Sequence, residues 1–153
     1  MNRENLINIL DSILKSPTAP FHEYFVRESI IKLLSGCSNA RIKDDTFGNL
    51  IVNVGPENKS PCWIFGAHMD HPGYVKVQEF KGIEDYRIRD DFSFLGGVPE
   101  NYLNSNFPIK EFGSFAMWDL AALKIEGDFI RSRACDDLIG CVAIVALIKL
   151  LSS

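Results

Sequence analysis

No two of the four cysteines, Cys37, Cys62, Cys135 and Cys141, form a Cys-x-x-Cys pair. Four thiols in 153 residues are too sparse for a disulfide framework, so reduced thiols and a cytoplasmic setting are expected. Positive charge is not in surplus. Sixteen Lys and Arg stand against 20 Asp and Glu, a net charge of −4, which provides no basic field for nucleic acid or anionic lipid. Membrane-spanning length is lacking too: Leu138 to Ile148 contains only Leu, Ile, Gly, Cys, Val and Ala, but a bilayer needs about 20 such residues. The N-terminus, Met-Asn-Arg-Glu-Asn-Leu, has acid and amide groups before any apolar residue and no signal-like core. Repeats, low-complexity tracts and adjacent glutamates are absent. What is present is ordinary for a globular chain, 46% apolar and 24% charged, with room for one domain and a sizeable core.

Leu6, Ile7, Leu10, Ile13 and Leu14 recur at helical spacing, so residues 3–15 read as an amphipathic helix ended before Pro17. A loop, Pro17-Thr-Ala-Pro-Phe-His-Glu, leads to a second helix over about 21–35, with Gly36 past its end. At its start His22 reads first as a surface residue. Residues 40–44 and 50–54 read as strands joined through Asp45-Thr-Phe-Gly-Asn. From Tyr74 to Arg131 the pattern changes to short alternating runs at 74–80, 86–89, 112–118, 123–125 and 129–131, broken by Gly, Pro and Asn clusters. This is an α/β beginning followed by a β-rich insertion.

Two stretches carry polar chemistry. Cys62-Trp-Ile-Phe-Gly-Ala-His-Met-Asp-His-Pro-Gly73 is an apolar run that stops at three polar residues and a turn. Its first residues suit a central strand buried on both faces, with His68 and Asp70 at its carboxyl end, where open α/β sheets bind ligands. Residues two apart in an extended segment share a side. Asp70 can therefore orient one ring nitrogen of His68 and leave the other for a metal; a plain surface turn is the alternative. The second stretch, Arg133-Ala-Cys-Asp-Asp-Leu-Ile-Gly-Cys141, sets Asp136 and Asp137 at the mouth of the apolar segment. Two readings stand, a helix cap or a carboxylate bridging two divalent ions.

Ala67-His-Met-Asp70 followed by Arg133-Ala-Cys-Asp-Asp-Leu-Ile-Gly-Cys141, with Phe47-Gly48-Asn49-Leu50 upstream, resembles the metallo-aminopeptidases of the tetrahedral-aminopeptidase and glutamyl-aminopeptidase type, some members of which have carried an endoglucanase label. The resemblance implies a mixed-sheet α/β/α scaffold, incomplete at its C-terminus. Residues 1–73 and 132–153 would form part of the peptidase domain, and 74–131 would stand where the family has its dimerisation region. It also implies two divalent ions, zinc or cobalt, with His68 on the first, Asp136 bridging both and Asp70 holding His68. Asp137 flanks the bridge, while His71 and His22 flank the site; His71 stands where the family commonly has an acid. The family's general base, a Glu pair, and its later Asp and His ligands would fall beyond Ser153. The expected function is therefore the N-terminal portion of an aminopeptidase acting on peptide N-termini, with weak metal binding and little hydrolysis by this chain alone, partnered by a C-terminal complement or by copies of itself. The alternative is an inactive remnant that dimerises or binds peptides. A glycosidase needs two facing carboxylic acids, which His68 with Asp70 fits less well than ligation.

Overall fold

A computed structural model describes residues 1–56, 63–76, 88–89, 91–97, 101 and 106–152. Helix α1 spans Arg3–Leu14. The side chain of Asn2 accepts the backbone N–H of Asn5 at 2.9 Å, satisfying one of the free donors at the helix start. Helix α2 covers Tyr24–Leu34, starting later than the periodicity suggests. Phe21 adopts φ +67°, a left-handed conformation that a helix cannot include.

Helix α3 runs over Cys135–Leu151 and is interrupted near its start, where Asp136 and Asp137 have non-helical backbone angles. It buries Leu138, Cys141, Val142, Val145, Ala146 and Ile148. Ile9, Leu10, Ile13 and Leu14 from α1 and Val26, Ile30 and Leu34 from α2 join them in the largest apolar cluster. The antiparallel hairpin of β1 (Ala40–Asp44) and β2 (Leu50–Val54) packs Ile42, Leu50 and Val52 against that cluster.

A second sheet has the order β4-β5-β3-β7-β6, from Ile88–Arg89, Phe92–Leu95, Gly73–Lys76, Phe115–Trp118 and Ile109–Glu111. Its pairings are all antiparallel. Strands β5 and β6 fall outside the alternating runs read from the sequence; Phe92–Leu95 is nearly all apolar and buried, so it has no two-residue period to read. Tyr74, Phe92, Phe94, Ala116 and Trp118 make one side cluster of this sheet, while Val75, Leu95 and Phe115 pack with Ala19 and Phe25 on another. Strands β8 (Lys124–Glu126) and β9 (Phe129–Arg131) pair as a separate hairpin. The chain is thus mixed α/β with small antiparallel sheets and helices.

One expectation is overturned. The stretch preceding His68 is not a strand buried on both faces: residues 63–70 form no ladder, and Trp63, Ile64 and Phe65 are 86%, 90% and 59% exposed. Composition marks a segment as fit for burial, but a strand exists only with neighbours to pair with and layers to cover it. Among the described residues, none does either. Cys62 lies outside them.

Candidate metal and catalytic site

The loop that carries His68 is fastened from several sides. Thr18, fully buried, donates its hydroxyl to the carbonyl of Met69 at 2.8 Å. The thiol of Cys141 on α3 donates to the carbonyl of His68 at 3.4 Å. Ala67 and Met69 lean on the main core. Beyond the loop, Gly73 is packed so closely that a Cβ would lie 2.9 Å from Ala19 Cβ and 3.0 Å from the Ala116 carbonyl. Gly96, at φ +139°, leaves the space that Pro72 fills.

Arg133 anchors the other half. Its buried guanidinium donates to the carbonyls of Leu14 at 3.1 Å and Ser16 at 2.8 Å. This ties the end of α1 to the entry of α3, just before Asp136. Neither Thr18 nor Arg133 is assigned a role by sequence reasoning. Thr18 sits between two prolines and Arg133 is a motif residue, but their acceptors are backbone carbonyls 51 and up to 119 residues away, which no local pattern reveals.

These fastenings bring His68 and Asp136 together. Nε2 of His68 lies 3.3 Å from Oδ1 of Asp136, and Nδ1 lies 2.9 Å from Oδ1 of Asp70. An ionised carboxylate only accepts, so the ring nitrogen facing Asp70 carries a proton and donates. In neutral His68 that leaves a lone pair on Nε2 opposite a second carboxylate oxygen. Two acceptors at this distance need a proton or a cation between them. The His68 pKa is raised: burial disfavours the charged ring, but the Asp70 charge and hydrogen bonds to Asp136 and Asp70 outweigh it.

The same arrangement fits a metal edge. Bonds of about 2.0–2.1 Å at a tetrahedral angle place two ligand atoms about 3.3–3.4 Å apart. His68 and Asp136 therefore fit as one imidazole and one carboxylate ligand. A catalytic zinc takes three protein ligands, and among the described residues no group of three His, Cys, Asp or Glu is placed to hold an ion.

Asp137 stands just before the continuous part of α3, because it and Asp136 have non-helical backbone angles, and the cap hydrogen bond absent at Ala134 leaves its capping role open. Its carboxylate folds over Gly140, where a Cβ would collide with it. The Asp136–Asp137 peptide is cis. His71 comes in from the loop and donates Nδ1–H to the Asp136 carbonyl at 3.4 Å; burial lowers its pKa, partly offset by that bond. It thus contacts the Asp136 backbone rather than the carboxylate.

His22 is corrected. It is not a surface residue but 7% exposed, its ring centroid 5.0 Å from that of Phe115 and Nδ1 3.1 Å from the Pro20 carbonyl. The left-handed turn at Phe21 puts the phenyl ring outside and the imidazole inside.

These features define a class, a mixed α/β fold with a His-carboxylate pair converging from a loop and a helix entry. No protein-family profile matches the chain, and no characterised protein matches it by sequence. The fold is similar to solved peptidase structures. PhTET1-12s, a dodecamer, superposes with TM-score 0.69 at 21% identity over 100% of this chain. The Pyrococcus horikoshii TET1 peptidase, which assembles into a tetrahedron or a large octahedral shell, superposes with TM-score 0.63 at 21% identity over 96%. In both cases the chain spans 56% of the solved chain's length. The chain therefore has a TET-like peptidase fold over about half of such a chain.

Proposed function

We propose that this chain is the N-terminal portion of a metal-dependent aminopeptidase that removes N-terminal residues from peptides, once a C-terminal complement supplies the remaining ligands and the general base. The observation that carries the reading is the approach of His68 Nε2 to Asp136 Oδ1 at 3.3 Å, with Asp70 on the other ring nitrogen. In this role His68 and Asp136 hold an ion, Asp70 fixes the tautomer of His68, and Asp137 and His71 shape the flank. When bound, two divalent ions of the zinc or cobalt type hold and acidify a water and polarise the scissile carbonyl. The free thiols of Cys37, Cys135 and Cys141 support a cytoplasmic setting. The oligomeric state of the solved relatives supports self-assembly, with residues 74–131 as the contact region. Among the described residues no helix is long and apolar enough to cross a membrane.

The test is an assay of the purified chain with Zn²⁺ or Co²⁺ and a panel of aminoacyl chromogenic substrates. The chain alone is expected to be silent, since positioned acid-base catalysis contributes about 10²–10⁴-fold and no Glu pair is present in the sequence. Turnover should appear on complementation and vanish in His68→Ala. Robust turnover by the chain alone that His68→Ala abolishes would show that this portion suffices. A second reading is an inactive dimerising or peptide-binding module, whose self-association is supported by the oligomeric assemblies of the solved relatives.

A further inference from the structure

Arg133 is a buried cation whose charge nothing among the described residues balances. It is 9% exposed, and a guanidinium carries N–H groups on every nitrogen and accepts nothing. Only Nη2 is used, donating to the carbonyls of Leu14 at 3.1 Å and Ser16 at 2.8 Å. Nε and Nη1 are buried with no hydrogen-bond partner, and among the described residues no carboxylate pairs with the guanidinium. The next acids along the chain are engaged elsewhere: Asp136 Oδ1 faces His68 Nε2 at 3.3 Å, and the Asp137 carboxylate folds over Gly140. Buried N–H groups left unmet and a buried charge left unpaired are both costly, which is why such charges in native interiors have partners.

We propose that the joint between the end of α1 and the entry of α3 is a binding site for a small monovalent anion, of the chloride or acetate kind, which accepts from the unmet N–H groups of Arg133. A water molecule accepts the same groups but leaves the charge uncompensated. A peptide or a phosphate ester is too bulky for a residue that is 9% exposed. The positive charge is felt nearby: burial is the main reason the His71 pKa is lowered, and the Arg133 charge adds to it. With an anion seated, the guanidinium is held from two sides, by the Leu14 and Ser16 carbonyls and by the anion. That stiffens the joint just ahead of Asp136. The site does not depend on the peptidase reading.

The experiment compares chloride, acetate and the bulkier gluconate, on the full chain at equal sodium concentration and ionic strength. The midpoint of thermal unfolding is expected to rise with the logarithm of chloride or acetate concentration relative to gluconate. The chlorine NMR line of chloride is expected to broaden in the presence of the chain, to sharpen as acetate displaces it and to stay broad in gluconate. Arg133→Lys keeps a charge that donates to the Leu14 and Ser16 carbonyls but lacks the guanidinium fork, and should lower chloride affinity by roughly tenfold or more. Arg133→Met should abolish it, and circular dichroism of Arg133→Lys should match the parent. Broadening that persists in full in both variants would mean an adventitious ion only and would overturn the site. A line that never broadens, with unfolding indifferent to the anion, would overturn it too and leave water or a polypeptide carbonyl as the partner of Arg133. Should the variants fail to fold, the parent chain still decides, because broadening relieved by acetate alone supports the site and broadening relieved equally by gluconate overturns it.

Discussion

The hydroxyl of Thr18 donates to the carbonyl of Met69 at 2.8 Å, across 51 residues of sequence. It links the loop after α1 to the residue between His68 and Asp70. Thr18→Val keeps the shape and removes the donor, leaving a carbonyl unsatisfied at a cost of about 1–3 kcal/mol. Urea denaturation should show that loss, and Thr18→Ser should recover most of it.

Asp70 accepts from His68 Nδ1 at 2.9 Å. In a complemented, active protein, Asp70→Asn is expected to lower metal affinity or turnover by roughly 10–100-fold. Competition with a chromogenic chelator measures the affinity directly. Unchanged affinity and turnover would remove Asp70 from the role of orienting His68.

Gly96 lies under Pro72 at φ +139°, so Gly96→Ala meets both a strained backbone and an occupied space. Overpacking of this kind costs about 1–3 kcal/mol. Gly97 is exposed with open space where its Cβ would be, and Gly97→Ala should stay within about 0.5 kcal/mol. Thermal unfolding of the two variants side by side makes the comparison.

Burial, with the nearby Asp137 charge, pushes the Cys141 thiol up to about 11. Because the folded state then holds its proton more tightly than the unfolded chain, the contribution to stability is complete below about 8.5 and is lost as pH rises toward the folded value. Cys135 is exposed whereas Cys37 and Cys141 are buried. Iodoacetamide at about pH 8 should therefore label Cys135 before Cys37 and Cys141, and Cys141 only on unfolding, as peptide mapping would read.

The local elements are legible in the sequence because their determinants lie within a few residues of one another. Leu10, Ile13 and Leu14 mark the buried stripe of α1, and Asp45 to Asn49 mark the β1–β2 turn, where the Asp45 carboxylate accepts the backbone N–H groups of Phe47 and Asn49. The motifs holding His68, Asp70 and Asp136 are legible for the same reason. Strand β5 is not, since Phe-Ser-Phe-Leu, a run of four residues with one polar member, is too short for a period to be detected.

What the sequence by itself determined is which segments suit a helix, a hairpin or a buried strand, and which side chains have ligand chemistry. Only the tertiary structure decided which of those segments are covered and which of those side chains meet. His22 is buried because Phe21 takes a left-handed turn and Phe115 lies behind it; Trp63, Ile64 and Phe65 are exposed because no described strand pairs with them. His68 reaches Asp136 across 68 residues because Thr18, Cys141 and Arg133 fasten a loop and a helix entry to the same core. Periodicity records the preferences of neighbours along the chain. Partners far apart in sequence are set by packing, where burial and the satisfaction of backbone carbonyls select one arrangement among those the local preferences allow.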